Sequence, residues 1–255
     1  MSFFASLLLG IVQALTEFLP ISSSAHLKIV KHLLGQESGV LLDLSCHLGT
    51  LGALVIFLRK EILHILFQEP KKLILFFLAM IPLIPFYFLL KPLREYISEI
   101  HLLGFCLIGT GGILLAGQSF CMARSKNEGF MGKAKDVLMI GTLQSTALIP
   151  GISRSASTIS CARILGWNVK EAVRFSFLLS IPTVLGGNLL EFMKATTQSK
   201  ASIPILQLAT SFAVSFFIGL FVVGKAISWL EKGNLKPCAW YCIALGIILS
   251  IYFNL

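Results

Sequence analysis

Six long apolar stretches constrain the fold of this chain more than any other feature of its sequence. Each one meets or approaches the ~20 residues that a helix needs to cross the hydrocarbon core of a membrane. The stretches are 40–58, 73–90, 101–123, 172–190, 203–224 and 237–254. Only 13% of the residues are charged, whereas a soluble globular chain carries about 25%, which excludes a soluble fold and a disordered chain. The sequence predicts an all-α integral membrane protein.

The basic residues give the chain a formal net charge of +9, and most of them lie in the short gaps between the apolar stretches. That placement is typical of the Lys and Arg bias of membrane loops. Nucleic-acid binding needs a basic stripe interleaved with aromatic side chains, and the sequence shows no such stripe. We therefore expect membrane lipids as partners and no nucleic acid.

Two shorter apolar stretches, 3–19 and 137–150, each run into a proline and a serine cluster. Residues 13–26 read QALTEFLPISSSAH, and residues 144–158 read QSTALIPGISRSAST. Both segments have a glutamine, a proline six or seven residues later, serines, and then a new helical run that three apolar spans follow. This repetition indicates an internal duplication, roughly 1–125 and 126–255, within a single membrane domain of residues 1–255. Halves interrupted at matching places point to the binding site in repeat-built membrane proteins.

The topology depends on whether the two short stretches cross the membrane. If both cross, each half has four spans and the repeats are parallel; if both are re-entrant, each half has three spans and the repeats are inverted. The six-span arrangement places fourteen Lys and Arg on one side and six on the other, with Arg154 in a hairpin. Because this bias fits the positive-inside rule, we predict six transmembrane helices plus two re-entrant helical hairpins arranged as inverted repeats, with both termini outside the cytoplasm.

Three ionisable residues in the interrupted segments are candidates for chemistry. Glu17 lies four residues after Gln13 on one helix face, and a carboxylate in an apolar segment needs a partner elsewhere in the structure. Arg154 suits bidentate binding of phosphate, although pairing with Glu17 alone would also explain it. His26 follows the first serine cluster by one turn and is a candidate acid, base or nucleophile, although a lone histidine is more often structural.

The serine clusters have both a structural and a functional interpretation. One serine in each cluster is expected to cap the helix that follows. The same helix starts present free N–H groups and a positive dipole end, which bind phosphate. Gly151 would let the backbone approach a ligand closely. The candidates are Ser22, Ser23 and Ser24 in the first cluster and Ser153 and Ser155 in the second.

These two segments closely resemble the signatures of the undecaprenyl-pyrophosphate phosphatase family, which is also known for bacitracin resistance. Residues 13–26 are similar to its first signature, and residues 150–158 are similar to its second. The stretches 43–49 and 175–182 are also similar to the sequence pattern of this family, so the resemblance covers nearly the whole chain. The chain departs from the family pattern at three positions. Gln13 stands where many members have glutamate, and Ala25 and Ala156 stand where glycine is common.

The resemblance implies that the chain hydrolyses the lipid carrier's pyrophosphate to the monophosphate and so recycles the carrier for cell-wall synthesis. It implies a bacterial inner-membrane enzyme whose site opens to the outer face. A divalent cation, Mg²⁺ or Ca²⁺, is implied by the resemblance only, since the sequence shows no full set of metal ligands. Expected partners are the polyprenyl pyrophosphate, membrane lipids and, as one option, a second copy of the chain in a homodimer. The predicted catalytic residues are Glu17, Ser23, His26 and Arg154, and the predicted substrate-binding residues are Gln13, Ser22, Gly151, Ser153, Ser155 and Thr158.

Three other classes of protein are alternatives to the phosphatase. A transporter of a lipid phosphate or another anion would share inverted repeats and broken helices. A phosphatidic-acid-type lipid phosphatase would need a Lys-x6-Arg-Pro element and a His-x3-Asp element, and the sequence has neither. A purely structural membrane protein would leave Glu17, His26 and Arg154 unexplained.

Overall fold

The computed structural model describes residues 3–35, 39–93, 100–122, 130–198 and 204–254, and within these ranges it contains helices and no strand. The first half holds α1 (Phe3–Thr16), α2 (Ser23–Leu33), α3 (Val40–Phe57), α4 (Arg59–Gln68), α5 (Lys71–Met80), α6 (Leu83–Leu89) and α7 (Ile100–Ser119). The second half holds α8 (Phe130–Ser145), a 3₁₀ turn (Thr146–Leu148), α9 (Arg154–Ile164), α10 (Val169–Gln198), α11 (Ile205–Leu230) and α12 (Lys236–Asn254).

Six helical segments in the described part of the chain are long and apolar enough to cross a membrane. They are Val40–Phe57, Lys71–Leu89, Ile100–Ser119, Val169–Lys194, Ile205–Leu230 and Lys236–Phe253. Each corresponds to one of the six predicted spans, so the prediction of a six-span, all-helical membrane protein is confirmed. The predicted boundary between the repeats, at residues 125 and 126, lies outside the described residues.

Proline interrupts the second span and lies in the turn after the first helix of each short stretch, at residues 17–22 and 149–153. The chain turns at Ile81 and Pro82 between α5 and α6, because proline lacks an N–H and clashes with the preceding turn. Residues 17–22 form a turn ahead of α2, and Pro20 lies within it. The residue before a proline avoids helical geometry, so a turn at this point follows from the sequence.

The helices of the two halves pack across one another rather than within separate bundles. The contact between α1 and α11 has a counterpart in the contact between α8 and α5. The equivalent helices α7 and α12 also pack together, as do α3 and α10. Glycine makes these approaches possible: a Cβ on Gly104 of α7 would lie 2.6 Å from the carbonyl oxygen of Gly246 of α12.

The apolar cores join both halves around the two turns. Phe18 follows α1 and is 1% exposed, and its ring stacks with that of Phe177 on α10 at a centroid distance of 6.4 Å. Ile159 of α9 belongs to the same buried cluster. The turn after α1 and helix α9 are therefore held in one apolar core.

Candidate functional site

The two turns meet at a partly open cavity of about 200 Å³. From the first segment Glu17, Leu19 and the serines at 22–24 line it, and α3 adds His47. From the second segment come Gln144, Ala147, Leu148, Ile152 and residues 153–155. Leu83, Thr183 and Val184 complete the wall. Glu17 and Arg154, which are 137 positions apart in the sequence, therefore line the same cavity.

An ion pair joins the two segments at this cavity. Arg154 Nη2 donates to Glu17 Oε1 at 3.0 Å, and the two side chains are only 20% and 11% exposed. A second guanidinium nitrogen, Nη1, donates to the carbonyl oxygen of Ser176 at 3.4 Å. Burial makes this pair consequential, since either charge left alone in a low-dielectric environment would be costly. The prediction that Glu17 finds its partner across the structure is confirmed by this contact.

The second carboxylate oxygen of Glu17 accepts hydrogen bonds from the first segment. Ser23 Oγ donates to Oε2 at 2.6 Å, and Gln13 Nε2 donates to the same oxygen at 3.0 Å. Ser23 is the first residue of α2, so its hydroxyl lies at a helix start and at the cavity. A serine hydroxyl that donates to a buried carboxylate has the geometry of a nucleophile beside its proton acceptor.

His47 belongs to this cluster, although it is not among the predicted site residues. Its Nδ1 lies 2.7 Å from Gln13 Nε2 and 3.5 Å from Glu17 Oε2. A signal was present, because Asp43, His47 and Thr50 recur at helical spacing and so share one face of an otherwise apolar helix. Thr50 also contacts Gln13, at 3.4 Å, and Asp43 pairs with Lys31.

The helices that begin at the cavity have different caps. Ser153 caps α9 through its Oγ, which accepts the N–H of Ala156 at 3.3 Å, so the capping prediction is confirmed there. The capping prediction is wrong for α2, because Ser22 occupies its N-cap in the left-handed conformation, at φ 67°, and makes no side-chain cap bond. Its Oγ instead lies 3.3 Å from Ser24 Oγ. A left-handed non-glycine residue costs about 1 kcal/mol or more, and such strain concentrates at functional sites.

Six of the ten predicted site residues line the cavity, namely Glu17, Ser22, Ser23, Ser153, Arg154 and Ser155. Gln13 lies behind Glu17 and is fully buried. Thr158 lies one turn along α9, where its Oγ1 is 2.6 Å from Ser176 Oγ. These two residues support the wall from behind.

His26 and Gly151 are also placed away from the cavity wall. The Nδ1 of His26 is 2.8 Å from the carbonyl oxygen of Ser22, and its Nε2 is 2.8 Å from the hydroxyl of Tyr241. Gly151 has φ 98°, and a Cβ there would lie 2.5 Å from Cys106 Cβ on α7. Gly151 was predicted to let the backbone approach a ligand, but the close approach that it makes in the structure is to α7, where Thr110 Oγ1 donates to its carbonyl oxygen at 2.9 Å.

The fold and the cavity together define a polytopic membrane protein with a cavity at which one guanidinium, one carboxylate and two helix starts converge. The family described as bacitracin resistance protein BacA matches residues 6–248, and this chain belongs to that family.

Relatives with curated names agree with this assignment. The chain is 38% identical over 261 residues to the undecaprenyl-diphosphatase of Protochlamydia amoebophila, with all of both chains covered. It is 34% identical to undecaprenyl-diphosphatase 4 of Bacillus cereus strain ZK / E33L, covering 100% of this chain and 99% of the relative. It is also 34% identical to the undecaprenyl-diphosphatase of Carboxydothermus hydrogenoformans, covering 98% and 97%.

Proposed function

We propose that this chain is an undecaprenyl-diphosphatase, which hydrolyses undecaprenyl pyrophosphate to undecaprenyl phosphate and inorganic phosphate. The observation that carries the proposal is the Glu17–Arg154 pair, which joins two separate serine-flanked helix starts at one cavity. Family membership supplies the substrate class. Release of the monophosphate recycles the lipid carrier for peptidoglycan synthesis, and this recycling accounts for the resistance to bacitracin in the family's description.

Arg154 and the helix starts bind the pyrophosphate in this proposal. The guanidinium has five N–H donors, of which two are engaged by Glu17 and Ser176 among the described residues, and the other donors can bind phosphate oxygens. The first backbone N–H groups of α2 and α9 have no partners within their helices and add positive potential. Phosphoryl transfer depends mainly on such positioning and charge neutralisation.

Glu17 takes the proton of the attacking hydroxyl. As the new O–P bond forms, the O–H proton passes to Glu17 Oε2, and the P–O bond to the lipid phosphate breaks with its electron pair on the departing oxygen. In the covalent route the hydroxyl is that of Ser23, whose bond to Oε2 is 2.6 Å, and water then hydrolyses the phosphoserine. In the direct route the hydroxyl is that of a water. Trapping a labelled phospho-enzyme separates the two, and undiminished turnover in Ser23→Ala would exclude the covalent route.

His26 is proposed as a proton carrier that acts from outside the cavity wall. Its two ring nitrogens are held by Ser22 and Tyr241, which fixes the imidazole beside the start of α2. His47 is the imidazole that contacts the Gln13–Glu17 pair, and we assign it the role of holding that pair in place.

Inverted repeats with two re-entrant hairpins are the architecture that we propose for this site. The exchange of packing supports it, because α1 contacts the second span of the other half and α8 does the same in return. The hairpin helices are short: α2 and α9 have 11 residues each, about 16 Å, which is half the thickness of the hydrocarbon core. Helices of that length that start at a shared cavity can meet near the midplane.

We further propose that the cavity opens to the outer face of the bacterial inner membrane. Leu83 and Thr183 line it, and they lie 12 and 14 residues after the starts of their spans at Lys71 and Val169. At 1.5 Å per residue they are about 18–21 Å from the basic ends, beyond the middle of a ~30 Å core. Since the basic ends are assigned to the cytoplasm, the cavity lies in the outer half.

A divalent cation is proposed from the family resemblance alone. Among the described residues no cluster of three or more His, Cys, Asp or Glu side chains could hold a metal ion. Both oxygens of Glu17 already accept hydrogen bonds. The side chains present do not form a protein cage for a cation, and no step above passes through one.

A transporter is the second candidate, and one observation favours it. A larger cavity of about 750 Å³ lies near the basic ends of the spans, with Lys72, Lys133 and Arg174 in its wall. Cavities at opposite ends of the same helices suit alternating access. However, three of the cations in its wall, Lys72, Lys133 and Arg174, are paired with acids, for example Lys72 with Glu69 at 2.5 Å.

Phosphate release by purified protein in detergent decides between the two functions. A detergent solution has no compartments, so a transporter releases no phosphate from undecaprenyl pyrophosphate, whereas the phosphatase does. Assays with Mg²⁺, Ca²⁺ and a chelator in parallel test the proposed cation. No release under any of these conditions would contradict the phosphatase and favour the transporter.

A further inference from the structure

A buried amide at the cavity makes no hydrogen bond. Gln144 lies in the last turn of α8, lines the cavity and is 2% exposed. Neither its Nε2 nor its Oε1 has a hydrogen-bond partner among the described residues. Proteins rarely leave both halves of a buried amide unpaired, because each half loses its bonds to water without replacement.

The predicted internal duplication accounts for the missing partner of this amide. In the first segment Gln13 is followed four residues later by Glu17, and the two side chains bond to each other. In the second segment Gln144 is followed four residues later by Leu148, which offers no polar group. The glutamine is present in both halves, but only the first half supplies a carboxylate beside it.

The surroundings of Gln144 favour an anionic partner. The cavity wall that it shares includes Arg154 and the helix start at Ser153 and Ser155. A donor beside a cation and a helix N-terminus suits a phosphate oxygen. An amide oxygen in the same place can accept a hydrogen bond from a water. In some phosphoryl-transfer enzymes a glutamine orients the attacking water.

We propose that Gln144 is a substrate-positioning residue for the pyrophosphate head group, an inference that rests on the proposed phosphatase function. Its Nε2–H donates to a phosphate oxygen, and its Oε1 accepts a hydrogen from a water beside that phosphate. Both polar atoms are shielded from solvent, so the amide reaches the head group by rotation of its side-chain torsions. Gln144 thereby joins Arg154 and the start of α9 as a group by which the second half of the chain holds the substrate.

The test compares Gln144→Leu and Gln144→Glu with wild type and with Asn188→Leu. Asn188 on α10 is a suitable control, because its Nδ2 is also buried without a partner but its side chain does not line the cavity. Phosphate release in detergent gives kcat and KM. Thermal shift with methylenebisphosphonate, a pyrophosphate analogue that cannot be hydrolysed, measures head-group binding without turnover.

Gln144→Leu is expected to raise KM about 10- to 100-fold, because the head group loses a hydrogen bond to a charged partner. It should also raise the Tm of the ligand-free protein, since the unpaired amide is gone, and reduce the shift caused by methylenebisphosphonate. Gln144→Glu should bind more weakly still because it places a carboxylate opposite phosphate. Asn188→Leu should keep the wild-type KM and the full shift.

Two results would overturn the inference while leaving the phosphatase intact. One is an active wild type with a Gln144→Leu protein of unchanged KM and unchanged methylenebisphosphonate shift. The other is a Gln144→Glu protein that binds as tightly as wild type. A wild type that releases no phosphate would instead reject the proposed function itself.

Discussion

Replacing Gly117 with alanine should displace the helix that carries Arg154. Gly117 lies on α7, and a Cβ added there would be 2.4 Å from Ser160 Cβ and 2.5 Å from Ser160 Cα on α9. Carbon atoms pack comfortably at about 3.5–4.0 Å, so the two helices must separate by about 1 Å. Because one of the clashing atoms belongs to the backbone, rotation of a side chain cannot relieve the overlap.

The expected cost follows from two opposing terms. Overpacking of a well-packed contact destabilises by about 1–3 kcal/mol. Alanine is favoured over glycine within a helix by up to about 1 kcal/mol, which offsets part of that cost. The effect on activity should be larger, since a shift of about 1 Å in a positioning group can cost about 100-fold in rate. Arg154 is the first residue of the displaced helix.

Gly109 and Gly112 supply matched controls on the same helix. A Cβ at either position meets nothing within 4 Å. Gly109→Ala and Gly112→Ala should therefore keep the wild-type kcat and an equal or higher Tm in detergent, while Gly117→Ala lowers both. Equal kcat and Tm in Gly117→Ala and Gly109→Ala would refute the packing of α9 against α7 that this reasoning uses.

Two further predictions concern the polar cluster around the ion pair. Arg154→Met should lower the free energy of unfolding by about 3–5 kcal/mol because it leaves the Glu17 carboxylate buried without its cation, and Glu17→Gln added to it should restore part of that loss. Thermal melts of the single and double variants check this, and a double variant less stable than Arg154→Met would contradict it. His47→Leu should cost about 0.5–1.5 kcal/mol, since Gln13 Nε2 loses one contact but keeps those to Glu17 and Thr50, whereas His47→Gln keeps an amide there and should stay near the wild-type Tm. Equal melting temperatures for the two His47 variants would show that its contact with Gln13 contributes nothing.

The spans were predictable because long apolar stretches leave a helix few alternatives in a membrane. Helix ends were less predictable: α10 runs from Val169 to Gln198, whereas the apolar stretch suggested 172–190. Polar residues at both ends extend that helix beyond its hydrophobic part. The polar helix α4, Arg59–Gln68, was also not predicted, since its charged first turn resembles a loop.

The pairing of Glu17 with Arg154 could be predicted from the sequence. The rest of the site could be predicted only in part. A lone carboxylate in one apolar segment and a lone guanidinium in another each need a partner, so Glu17 and Arg154 could be matched from the sequence. The position of His47 beside Gln13 depends on how α3 packs against α1, which neither segment encodes locally. The partner of His26, Tyr241, lies 215 residues away and is fixed by tertiary packing alone.

The most direct test of the central claim is whether one residue from each half acts in a single phosphatase site. Rates of phosphate release from undecaprenyl pyrophosphate would be measured in detergent for Glu17→Gln, Arg154→Met and the double variant, with folding checked by thermal melts. Each single variant should lose about 100-fold or more in kcat, and the double variant should be little worse than the slower single variant, because the residues act as a unit. Wild-type kcat in either single variant, or losses that multiply in the double variant, would contradict a shared site.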